Sequence, residues 1–181
     1  SRKLSLVLVL AMLMTMFAGL GTASAATGYD RSDVPLVYTD ANYANVSQRL
    51  GSIIVNFDNL PACKSNIGAN KDHQFIVKLP DNFDIDSATV TVIKPSSTPQ
   101  NFDVVALIPG TGGVSLIGGK PVADNTNQLL IEVYSPTLVS ELKLAIDLTT
   151  KVPSSAPEAI NAMIFGESNS VFDDGLVQVA K

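Results

Sequence analysis

The sequence predicts an all-β fold, a β-sandwich of about nine or ten mostly antiparallel strands after an N-terminal signal helix. Three observations predict it. Leu142, Leu144, Ile146 and Leu148 alternate with Lys143, Ala145 and Asp147, the period-2 pattern of a strand with one buried and one wet face. Short apolar runs of the same kind recur at roughly 8–15-residue spacing, punctuated by Gly, Pro and Asn turn signals. After the leader there is no convincing helical periodicity, and no repeat of solenoid length.

Taken in order, Arg2 and Lys3 precede an apolar stretch from Leu4 to Leu20, and Ala23-Ser24-Ala25 supplies small residues for cleavage. That is the pattern of a secretory signal, so residues 1–25 are expected to be a leader and Ala26 the mature start. Residues 26–49 read as an N-terminal arm with an edge strand at Val34-Pro35-Leu36-Val37-Tyr38, because Pro35 has no ladder donor. Residues 50–181 read as the sandwich. Its expected strands are Leu50 to Phe57, His73 to Leu79, Thr89 to Lys94, Phe102 to Ile108 and Val114 to Ile117. Leu129 to Tyr134, Glu141 to Thr149, Ile160 to Phe165 and Leu176 to Ala180 complete the set. Phe102 to Ile108 is apolar on both sides, as a central strand would be. Pro95 to Gln100, Pro109 to Gly113 and Val152 to Ser155 turn the chain between them.

Charge and cysteine content narrow the function. Seventeen acidic residues outnumber twelve basic ones, and the basic residues are scattered singly, which excludes a phosphate-tracking nucleic-acid surface. A secreted domain held by disulfides would carry an even, spaced set of cysteines. This chain has one, Cys63, expected to be a small buried hydrophobe in the loop Pro61-Ala62-Cys63-Lys64. The fold must therefore rest on its apolar core.

Catalytic constellations are sparse. The single histidine, His73, opens a strand, and no Gly-X-Ser-X-Gly elbow accompanies it. One histidine and one cysteine fall short of a zinc ligand set. Gly110-Thr111-Gly112-Gly113 precedes a strand-like run and not a helix, so it reads as a turn and not a phosphate cradle. Glu132 on the outer face of one strand and Glu141 at the start of another have the chemistry of a glycosidase pair, but nothing in the spacing joins them. The best candidates for ligand chemistry are Asp81, Asp84 and Asp86, calcium candidates around Asn82, and the acidic turn Asp173-Asp174-Gly175. Neither stretch follows the EF-hand pattern.

A pattern-level resemblance runs through Lys3-Leu4-Ser5-Leu6-Val7-Leu8-Val9-Leu10, Ser32-Asp33-Val34-Pro35 and Leu50-Gly51-Ser52-Ile53-Ile54-Val55. It continues in Phe75-Ile76-Val77-Lys78-Leu79-Pro80, Leu144-Ala145-Ile146-Asp147-Leu148 and Gly175-Leu176-Val177-Gln178-Val179-Ala180. In these the chain resembles secreted or cell-surface β-sandwich modules of Gram-positive-type bacteria, of the kind found upstream of copper amine oxidase N-terminal-like domains. The resemblance implies a structural or surface role and carries over no catalytic residue and no copper ligand.

The expected function is a secreted, non-enzymatic structural or assembly protein, a surface-layer or filament subunit that needs no cofactor. In one version the arm joins neighbouring subunits by strand exchange, with Val34, Leu36 and Tyr38 as alternate anchors; in another the arm is the subunit's own first strand. The expected partners are further copies of the chain or cell-surface components, with membrane contact only through the leader before its cleavage. The alternative is an extracellular module that binds carbohydrate or calcium through loops at one end of the sandwich.

Overall fold

The longest strand of the molecule is built from the alternating stretch 142–148 and its neighbours, and the rest of the sandwich is laid around it. The computed structural model describes residues 27–43, 46–63, 73–107, 127–166 and 170–181. The expected leader and the expected strand Val114 to Ile117 lie outside the described residues.

Ten strands are present among the described residues: β1 (Thr27–Arg31), β2 (Ser47–Arg49), β3 (Ile53–Leu60), β4 (Gln74–Lys78), β5 (Asp84–Lys94), β6 (Asp103–Leu107), β7 (Gln128–Tyr134), β8 (Val139–Lys151), β9 (Ile160–Gly166) and β10 (Gly175–Ala180). One 3-10 turn, Ala41–Tyr43, interrupts the arm. No helix among the described residues is long and apolar enough to cross a membrane.

All the pairings are antiparallel and form two sheets. In the first, β8 runs down the middle. One side of it pairs with β5, and the other pairs with β3 and then β2, while β1 adds outside β3. The second sheet has the order β10-β9-β4-β7-β6. The protein is therefore a two-layer β-sandwich.

The core lies between the layers and follows the period-2 pattern. Ile53, Val55 and Phe57 of β3 and Leu142, Leu144, Ile146 and Leu148 of β8 face Phe75 and Val77 of β4, Leu129, Ile131 and Val133 of β7, and Ile160, Ala162 and Ile164 of β9. Phe172, on the turn before β10, sits between Phe57 and Phe75, with ring centroids 5.2 Å and 4.7 Å away, and so ties one sheet to the other.

Several expectations are revised. The two ends of the expected arm belong to the first sheet, since β1 pairs with β3 and β2 pairs with β8. Val34 to Tyr38 is extended but forms no strand with the first sheet. It runs alongside the end of β10, with Val37 N–H donating to the Lys181 carbonyl and Lys181 N–H to the Pro35 carbonyl, both near 3 Å. Such a pair, spanning i−1 and i+1 around Leu36, is the hydrogen-bond pattern of parallel neighbours. Pro35 is tolerated because its carbonyl accepts and its nitrogen is not called on. Among the described residues the stretch expected as a central strand, Phe102 to Ile108, gives β6, which pairs on one side alone, with β7; the interior strands beside it in the second sheet are β7 and β4. These two are buried on both faces, outward Ile76 and Leu130 included.

The break between β2 and β3 falls at Leu50-Gly51-Ser52. Leu50 N–H still reaches β8 at the Leu148 carbonyl, but Gly51 N–H turns to the Val179 carbonyl of β10 at 2.7 Å. The backbone of Asp33 presses so closely on Gly51 that a Cβ there would overlap the Asp33 carbonyl. Glycine is required at 51 by this close approach of three chain segments.

Candidate functional site

The arm and the turn after it place several exposed apolar side chains close together in sequence. Along Val34 to Tyr38 the backbone is extended, so alternate side chains point opposite ways. Val37 packs against the core. Leu36 and Tyr38, on the other side, are 74% and 61% exposed, and Val34 is half-buried. The 3-10 turn then brings Tyr43 back over Tyr38, with ring centroids 4.8 Å apart and planes 23° from parallel. Val46, exposed, follows through a hydrogen bond from its N–H to the Tyr43 carbonyl.

This surface is held rigidly from behind. The Gln48 side chain bonds the Tyr38 backbone twice, accepting from its N–H and donating to its carbonyl, both at 2.7 Å. Asp40 receives both the backbone N–H and the side-chain amide of Asn42 at 2.8 Å, which closes the turn. At the start of the arm Arg49 and Asp33 form an ion pair at 2.9 Å. The Ser32 hydroxyl and the Arg49 guanidinium hold the Asp33 carboxyl below its ordinary range, and Asp33 in turn raises Arg49. Both side chains are about half-exposed, so this pair orients the arm and adds little stability.

The calcium candidates are arranged otherwise. Asp84 and Asp86 both face the Lys151 ammonium, at 4.0 Å and 3.4 Å, while Asp81 pairs with Lys78 at 3.5 Å. Among the described residues no group of three or more His, Cys, Asp or Glu is placed to hold a metal ion. In the acidic turn, an Asp173 carboxylate oxygen accepts the Thr27 N–H and Asp173 N–H donates to the Thr27 hydroxyl. Asp174 accepts the Gly166 N–H at 3.0 Å. These two carboxylates join chain segments, as turn aspartates do.

His73, just before β4, is only 2% exposed. Cys63 is buried as expected, its N–H donating to the Ser135 carbonyl at 2.7 Å. Glu132 does lie on the outer face of β7, yet it is buried and hydrogen-bonded to the Gln74 amide directly across the ladder. The Gln74–Glu132 pair was not anticipated. Its only signal in the sequence is a polar residue at an outward position in each of two strands, beside the apolar outward residues Ile76 and Leu130.

No protein-family model matches the sequence, and no curated protein matches it. Among solved structures, the chain is similar to a non-cellulosomal cohesin from the hyperthermophilic archaeon Archaeoglobus fulgidus, at 12% identity and a TM-score of 0.37, over 87% of this chain and 92% of that one. It is also similar to the full-length major pilin SpaD from Corynebacterium diphtheriae, at 11% identity and TM-score 0.38, over 84% of this chain and 34% of the pilin. A third similarity is to the N-terminal domain of the Streptococcus gordonii adhesin Sgo0707, at 14% identity and TM-score 0.36, over 87% of this chain and 31% of that one. The chain thus spans about a third of the pilin and adhesin chains it matches.

Proposed function

We propose that this protein is an extracellular, non-enzymatic assembly module, a surface-layer or filament subunit, and that the arm is its contact surface. The observation that carries this reading is the outward set Leu36 and Tyr38, continued by Tyr43 and Val46, on a segment whose backbone is pinned to Lys181 and Gln48. Apolar side chains on a preordered backbone lose little conformational entropy when a partner covers them. Aromatic anchors of this kind dominate protein interfaces. The partner is another copy of the chain or a component of the cell surface. In the version with strand exchange, Val34, Leu36 and Tyr38 enter the neighbour as alternate anchors, and the Pro35–Val37 bonds to Lys181 are those that would be traded.

The test is the mass of the purified chain by light scattering, with negative-stain imaging of the same sample, for the wild type and for Leu36→Ser with Tyr38→Ser. Oligomers or filaments that are lost in the double variant, with the circular dichroism spectrum unchanged, support the reading. Filaments or oligomers larger than a dimer that survive the double variant sink it.

A second reading, a carbohydrate-binding module, is favoured by the exposed Tyr38–Tyr43 stack, since sugars pack on aromatic faces. Glycan-array binding that is abolished by Tyr43→Ala would move the weight to this reading.

A further inference from the structure

The sheet edges of this sandwich are not equally protected. The arm and the turn before β10 close the β1 edge, where Tyr29 donates to the Asp173 carbonyl and Arg31 reaches Gln178. Pro35–Val37 covers the end of β10. Among the described residues β6 is an edge of only five residues. β5 is different. It is eleven residues long, and among the described residues it pairs on one side alone, with β8. An edge of that length presents a row of backbone donors and acceptors that can template another strand.

The sequence of β5 is self-complementary when read antiparallel. Asp84 and Asp86 stand at its start and Lys94 at its end. Residues directly opposite in an antiparallel pair share a face, so two copies of β5 can match faces only in registers centred on a residue. Centred on Thr89, Thr89 meets Thr89, Ala88 meets Val90, Ser87 meets Thr91 and Asp84 meets Lys94. Ser87, Thr89 and Thr91 are all exposed, Ala88 and Val90 are half-buried on the inner face, and Lys94 is exposed. The two irregularities of the strand, at Ile85/Ser87 and Val92/Lys94, fall at opposite ends of the straight run. In this register each half of the contact carries one extra residue from either copy, at neighbouring positions 86 and 93, so the offset cancels before Asp84 and Lys94 meet.

We propose that β5 is a homotypic docking edge: a second copy of this chain adds its own β5 antiparallel, about a two-fold axis at Thr89, and makes the first sheets of the two copies continuous. The contact is isologous, so each Asp84–Lys94 pair occurs twice. Opposite charges and facing threonines across a ladder both stabilise it. The contact uses no residue of the arm and stands independently of the assembly surface proposed above.

Sedimentation equilibrium of the full chain tests it, in the wild type and in the Leu36→Ser, Tyr38→Ser background, so that loss of the arm contact and loss of the edge contact are read separately. The expected result is a dimer in the arm variant, and larger assemblies that contain this dimer in the wild type. Lys94→Glu weakens it by about tenfold, because a like charge then opposes Asp84 twice, and Asp84→Lys combined with Lys94→Asp restores it. Thr89→Cys should form a disulfide-linked dimer under mild oxidation, since facing Cα atoms lie about 4.5–5.5 Å apart. Thr91→Cys, opposite Ser87, should link far more slowly. A chain that stays monomeric at millimolar concentration overturns the proposal. So does a dimer indifferent to Lys94→Glu, or one that Thr91→Cys links as readily as Thr89→Cys.

Discussion

Tyr29 lies with its ring against the Cα of Gly175, in the space that any side chain at 175 would need. The tyrosine hydroxyl donates to the Asp173 carbonyl at 2.5 Å, and Asp173 also binds Thr27. One aromatic side chain thus joins the first strand to the last across the rim of the sandwich.

Gly175→Ala puts a methyl group into the Tyr29 ring. The ring is fixed at both ends, by its backbone pairing with Val55 and by its hydroxyl, so it cannot swing aside cheaply. Overpacking of this kind costs about 1–3 kcal/mol. A denaturant midpoint lowered to match, with an unchanged slope, is the expected measurement. In the combined variant Gly175→Ala, Tyr29→Ala the added cost of the methyl should vanish.

The same contact makes stability depend on alkaline pH. Burial of the ring, reinforced by the negative charges of Asp173 and Asp174 and opposed by the Thr27 hydrogen bond, pushes the Tyr29 phenol well above its ordinary value. A raised folded-state value means that the folded protein holds the proton longer than the unfolded chain. The stabilisation is therefore present in full below the unfolded-state value of about 10 and is lost as pH climbs from there toward the folded value. Thermal melts above that point should fall more steeply with pH for the wild type than for Tyr29→Phe. Parallel curves would show that the ring is not buried in solution.

Phe172 bridges Phe57 of one sheet and Phe75 of the other. Phe172→Ala opens a cavity between the layers, and changes of this type cost about 3–5 kcal/mol. Chemical denaturation should show that loss. Phe172→Leu should recover most of it, because the site needs apolar volume more than a ring.

Calcium should leave the melting temperature unchanged. Asp84 and Asp86 already share the Lys151 ammonium, and a cation would have to displace it. Calorimetric scans with calcium and with a chelator test this. A calcium-dependent rise that Asp84→Asn removes would show that the ion displaces Lys151.

What could be read from the sequence was what local alternation determines. β8, β3 and β9 carry strict inward sets, and each appears close to where the pattern places it, with ends moved by a few residues. β1 was illegible because Thr-Gly-Tyr-Asp-Arg has one apolar anchor, and it is a strand only by virtue of its ladder to β3. β5 starts earlier than its valines announce, since Asp84 and Asp86 are polar and enter the strand through Lys151 and Thr150. The alternation of Leu36 and Tyr38 was visible in the arm. That Tyr43 returns to stack on Tyr38 depends on the turn at Asp40, and that His73 is buried depends on the packing around the second sheet. Neither is a property of nearby sequence.

The arm runs in the same direction as β10 along its whole length: Thr27 beside Asp173, Arg31 beside Gln178, Val37 beside Lys181. Thr27 and Lys181 accordingly sit at opposite ends of the sandwich, separated by roughly 25 Å of extended chain. Tension applied between them pulls along the strands and not across them. The β1–β3 ladder, the Tyr29 anchor and the Lys181 bonds are then loaded in shear and must yield together, whereas a peeled hairpin gives way one hydrogen bond at a time. Force applied between Thr27 and Lys181 is therefore borne by these bonds side by side, and a pull on Lys181 that peels β10 alone would meet less resistance.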